Sequence, residues 1–215
     1  MIRSYVQFFF TWIPAPFIHR LLFATWLLQG ENFKWQDVAE LVGTGLRFDA
    51  MVAGYLSAVL LIFIAPTVFG SLHLTQTGRR LLRLYCLVAA GALTTLTSLD
   101  FAWFLQTGTR INSAWIQAQA VPLPWSSVEG VIMVMVLMII LALQLRWQWR
   151  CLTTFPKINW IRWTACAVLT AVVIRGSFGE QHLDLRFAQV TNSAKINLLI
   201  VPTAYAWDQA LRERW

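Results

Sequence analysis

The segment GLRFDAMVAGYLSAVLLIFIAPTVF, residues 45–69, decides how the whole chain is read. After Asp49 it runs for twenty residues without a charged side chain. At the rise of an α-helix that length covers about 30 Å, the thickness of a bilayer's hydrocarbon core. Similar apolar runs recur along the sequence. A soluble domain needs many charges to hydrate its surface, yet only 13% of the 215 residues are charged and 58% are hydrophobic. The chain therefore reads as an all-α, polytopic membrane protein. Its twelve tryptophans agree with this, because indole rings favour the boundary between water and lipid.

Other classes fall away on the same grounds. Cys86, Cys151 and Cys166 show no paired spacing and no CxxC, so neither a disulfide framework nor a zinc site is expected. His19, His73 and His182 are isolated in sequence, and no metal site is assigned to them. A net charge of +7 would suggest nucleic acid as the partner of a soluble protein. Here the basic residues flank apolar spans, so they report membrane orientation and no nucleic acid is expected. The N-terminal run is interrupted by Pro14, Pro16, His19 and Arg20 and has no convincing cleavage site, so it reads as a retained first helix.

Five spans are expected, over residues 5–29, 50–69, 82–105, 126–145 and 158–174. Between the first two, Phe33, Val38, Leu41 and Val42 are spaced for one apolar helical face, which predicts an interfacial helix lying on the membrane surface. A basic turn with Arg79, Arg80 and Arg83 leads into the third span, and RWQWR at 146–150 closes the fourth as an interfacial anchor on anionic lipid. The predicted organisation is a five-helix transmembrane bundle over 1–175 and an extracytoplasmic juxtamembrane tail over 176–215, with no internal repeat.

Charge sets the expected orientation. With the N-terminus in the cytoplasm, Arg3, Arg79, Arg80, Arg83, Arg146, Arg150, Lys157 and Arg162 share the inner side with no acidic residue among them. All ten acidic residues then fall in the outer half. Retention of Lys and Arg in the cytoplasm makes this N-in, C-out arrangement the expected one.

The outer face then gathers ionisable groups from four spans. Arg47 and Asp49 open the second; Asp100, Arg110 and Asn112 close the third; Glu129 begins the fourth; Arg175 and Ser177 close the fifth. Each could be a boundary anchor or part of an interhelical ion pair, because a charge near lipid must be paired, hydrated or bound to a headgroup. Together they form a candidate headgroup site. Arginine's fork matches phosphate, and carboxylates such as Asp49 and Asp100 would hold those arginines in place, with Asn112 and Ser177 donating further hydrogen bonds. Arg20 lies deep in the first span, where pairing with Asp100 or Glu129, or snorkelling outward, would relieve its charge.

The order FIHRLLF, GLRFDA with its apolar span, LDFAWFLQTGTRIN, IRGSFG and NSAKINLLIVPTAYA resembles the N-terminal membrane domain of the lipoteichoic acid synthase-like phosphotransferases, within the alkaline phosphatase/sulfatase superfamily. The resemblance runs from about His19 to Ala206 and rests on RFD, D-x9-R-x-N and RGS in that order. It implies five helices preceding an extracytoplasmic domain that moves phosphoglycerol or phosphoethanolamine from a phospholipid to an acceptor. The family's catalytic domain uses a threonine nucleophile and a cage of acids and histidines around a divalent metal such as manganese or magnesium. After Arg175 this sequence offers only Glu180, Asp184, Asp208, Glu213 and His182, and neither Thr191 nor Thr203 has the nucleophile's context. No catalytic residue and no cofactor are therefore carried over, because metal-assisted transfer needs ligands fixed around an open position. The expectation is a lipid-binding domain of the bacterial cytoplasmic (inner) membrane, in the cell envelope. It would be non-catalytic alone and would present a phospholipid headgroup to a separate catalytic or acceptor protein. The alternatives are a small transporter or flippase-like subunit and a membrane assembly scaffold.

Overall fold

Pro14 decides where the first apolar run breaks. A proline has no amide hydrogen and restricts the residue before it, so a helix arriving from the N-terminus stops short. In the computed structural model, which describes residues 2–27, 35–69, 76–107, 128–153 and 159–175, that run forms two helices, α1 (Ile2–Phe10) and α2 (Pro14–Leu27). The amides of Thr11 and Trp12 close α1 with bonds to the carbonyls of Phe8 and Phe9, both 3.1 Å. The Thr11 hydroxyl also donates to the Phe8 carbonyl at 2.6 Å. Pro14 then occupies the first position of α2, where its missing amide costs nothing. The single first span expected over 5–29 is thus two helices meeting at a bend.

The remaining elements are α3 (Trp35–Phe69), α4 (Gln76–Thr107), α5 (Val128–Thr153) and α6 (Trp160–Arg175). All six are helices, and there is no strand among the described residues. The separate interfacial helix expected after the first span is replaced by continuity, because α3 runs unbroken for 35 residues. Nothing between Trp35 and Ala65 forces a stop, since the first proline of the stretch is Pro66 near its far end. The basic stretch Arg79–Arg80–Arg83 likewise lies within the first two turns of α4, and RWQWR continues α5. Asn159 caps α6, its side-chain oxygen accepting from the Arg162 amide at 3.0 Å.

Three of these helices, over Leu41–Pro66, Gln76–Phe104 and Gly130–Leu152, are long and apolar enough to cross a membrane. Their outward faces suit lipid. Ile132, Met135, Met138, Ile139 and Leu143 of α5 are all exposed, as are Leu84, Leu87 and Val88 of α4. Half of the apolar window of α3 is buried in the bundle against 22% of that of α5, so α3 is central and α5 peripheral.

The most extensive packing joins α3 to α6, followed by α4 to α5. Gly54 permits the first. A Cβ there would meet the Ile174 and Val173 side chains at 3.0 and 3.4 Å, so a larger residue would require them to give way. Further along, the Trp163 indole donates to the Leu61 carbonyl at 3.1 Å, which makes α6 antiparallel to α3. Tyr85 of α4 donates to the Leu56 carbonyl of α3 at 2.9 Å, and Tyr5 of α1 bonds Thr170 of α6. One apolar cluster, including Phe8, Trp12, Leu60, Ile64, Leu82, Cys86, Cys151 and Leu152, fills the interior between these ties.

Polar residues of α4 are concealed by local bonding. The hydroxyls of Thr94, Thr95, Thr97 and Ser98 each donate to the carbonyl four residues back, at 2.6–3.0 Å. This satisfies them within the helix, so a TTLTS run can sit in an apolar span.

Candidate functional site: a buried ion pair beneath an arginine-bearing face

Arg20 is the least expected group in α2, and the fold gives it a partner. Helix α2 packs against α3, α4 and α5, which turns His19 and Arg20 inward, 5% and 4% exposed. The Arg20 guanidinium donates from Nη1 to Oδ2 of Asp49 at 2.6 Å and from Nη2 to Oδ1 at 2.8 Å. Asp49 itself is fully buried. The bidentate fork satisfies both carboxylate oxygens and cancels the two charges, as a low-dielectric interior requires.

Gly45 makes room for this pair. It sits one turn before Asp49 on the same face of α3, and a Cβ built there would lie 2.6 Å from Cζ and Nη1 of Arg20. The guanidinium therefore rests on bare backbone. In the sequence, the only signal for Gly45 is its i, i+4 spacing from Asp49.

Among the described residues Arg20 is held by Asp49, an acid outside the pairings expected for it, Asp100 or Glu129; Glu129 is the second residue of α5, and its side chain lies outside the described residues. Asp49, expected with Asp100 to hold the outer arginines, holds Arg20. Two residues apart on a helix lie about 200° apart in rotation, and Asp49 points inward while Arg47 is exposed.

The other candidates divide by position. Asp100 is fully buried on α4, beside buried Thr97 and Ser98. Arg47 and Arg175 are both exposed, on neighbouring antiparallel helices and toward the same end of the bundle. Counting from the Gly54–Ile174 contact, Arg47 lies roughly 9 Å further along the axis than Arg175 at 1.5 Å per residue. That offset is within reach of two extended arginine side chains sharing a phosphate between them. Arg110, Asn112 and Ser177 lie outside the described residues.

Two further buried polar side chains escaped the sequence reading. Gln144 and Gln148 of α5 are 6% and 0% exposed, and neither polar atom of the Gln148 amide has a hydrogen-bond partner among the described residues. Their four-residue spacing marks one face, but Gln144 lies at the end of the expected fourth span and Gln148 within RWQWR, read as an interfacial anchor, so neither signalled a buried position.

Comparison of the chain with protein-family models, with curated proteins and with solved structures finds no match in any of the three.

Proposed function

We propose that this chain is a membrane-embedded lipid-binding module that presents a phospholipid headgroup at the outer leaflet of a bacterial inner membrane. In this reading α1 with α2, and α6, complete a five-span bundle with the N-terminus inside. The catalytic or acceptor protein is a separate partner, in keeping with the resemblance to the membrane part of phosphoglycerol and phosphoethanolamine transferases. The observation that carries the reading is the pair of exposed guanidiniums, Arg47 and Arg175, set at one end of adjacent helices. A lipid phosphate is the chemistry that complements two such forks at a bilayer surface.

Native mass spectrometry of the purified chain with its co-purified lipid tests this. Arg47→Ala and Arg175→Ala should each weaken retention of a phosphate-headgroup lipid by roughly five- to a hundredfold, the range for a charge-assisted hydrogen bond. Arg3→Ala, at an exposed position of α1, serves as the control. An unchanged lipid complement in both outer-face variants would reduce these arginines to boundary markers.

A further inference from the structure

The opposite end of the bundle carries a second concentration of arginine, organised differently. Helices α4 and α5 pack side by side, and Leu82 and Cys86 of α4 share one buried cluster with Cys151 and Leu152 of α5. The start of α4 and the end of α5 therefore lie at the same end. Arg79, Arg80 and Arg83 line one depression there with Gln76, about 400 Å³ in volume. Arg146 and Arg150 line another of about 480 Å³, together with Trp149 and Leu145.

Two features make this more than a belt of boundary charges. No aspartate or glutamate occurs between Asp49 and Asp100 or between Glu129 and Glu180, so neither helix brings an acid to this end. In addition, Nε of Arg83 is buried and has no hydrogen-bond partner among the described residues. Directly along the helices from these arginines, the exposed side chains are Leu84, Leu87 and Val88 on α4 and Ile139 and Leu143 on α5. Cationic groups above an apolar track match a phosphate above acyl chains, and the Trp149 indole is suited to the level between them. A soluble anion would use the arginines and leave the track unused. An acidic protein segment would be soluble at this position only if it also covered those leucines.

We infer that the α4–α5 face at the arginine-rich end is a binding site for one anionic phospholipid. Its phosphate is held between Arg79, Arg80 and Arg83 on one side and Arg146 and Arg150 on the other. This site is independent of the headgroup reading given above. It lies on the opposite leaflet and uses none of the same residues.

The test is a lipid titration of the full chain in detergent, read by native mass spectrometry, with phosphatidylglycerol, cardiolipin and phosphatidylcholine as probes. The expected result is selective retention of the two anionic lipids, weakened at high salt because the contacts are electrostatic. The triple variant R79Q/R80Q/R83Q and the double variant R146Q/R150Q should each lower anionic-lipid affinity by about tenfold or more. Arg162→Gln should leave it unchanged, since Arg162 is exposed on α6, which packs chiefly on α3. Circular dichroism with thermal melting separates loss of fold from loss of binding. Equal retention of phosphatidylcholine, or an equal loss on Arg162→Gln, would overturn the site in favour of a diffuse charge belt. Unchanged binding in both multiple variants would overturn it outright, as would saturation by inorganic phosphate alone.

Discussion

Three residues, Arg20, Gly45 and Asp49, do what none does singly. An arginine in an apolar span is tolerated when a carboxylate meets both arms of its fork, and the carboxylate is tolerated for the same reason. Removing one partner strands the other. Arg20→Ala and Asp49→Ala should each destabilise the folded chain by about 3–5 kcal/mol, while the double change to leucine should cost much less than their sum. Gly45→Ala should destabilise by less than either single loss, because its methyl would displace the guanidinium without removing either charge. Thermal unfolding in detergent measures all four; additive single losses would show that the pair is not a unit. Here the sequence was only half legible. Arg20's need for a partner could be read directly from its apolar surroundings. Which acid answered it could not, because Asp49 lies 29 residues away and meets Arg20 only through the relative rotation of two helices.

At the scale of elements, small residues decide how closely helices approach, and not all of them matter equally. Gly54 lies under Ile174 and Val173, whereas a Cβ at Gly91 would meet nothing within 4 Å. Gly54→Leu should therefore separate α3 from α6 and lower the melting temperature, whereas Gly91→Ala should be neutral or slightly stabilising. Equal effects from the two would remove close α3–α6 packing from the account. The helices themselves were largely readable, because apolar runs of span length and the prolines that punctuate them are local signals. Boundaries failed where a charge was taken for an end. Arg47 and Asp49 were placed outside a span, as were Arg79 and Arg80, yet arginine is a good helix former and an aspartate within a helix can be paired. Helix α3 consequently begins at Trp35, ahead of its candidate span at Leu41, and the candidate span of α4 starts at Gln76, ahead of Arg79 and Arg80.

Over the whole molecule, the separation of acids from arginines predicts which end faces the cytoplasm. The three native cysteines are buried, at 0%, 4% and 1% exposure, so they give little background to an impermeant thiol reagent. Arg47→Cys should be labelled from outside intact cells, and Arg80→Cys only after permeabilisation. The reverse pattern would invert the leaflet proposed for both candidate lipid sites. The Arg20–Asp49 pair also bears on how such a molecule is made. A ribosome releases Arg20 before Asp49 has been synthesised, and a guanidinium without a counter-ion is costly in apolar surroundings. The leading segment therefore gains no counter-ion from Asp49 until α3 arrives. Once both are made, the aspartate acts as the latch that ties α2 to α3.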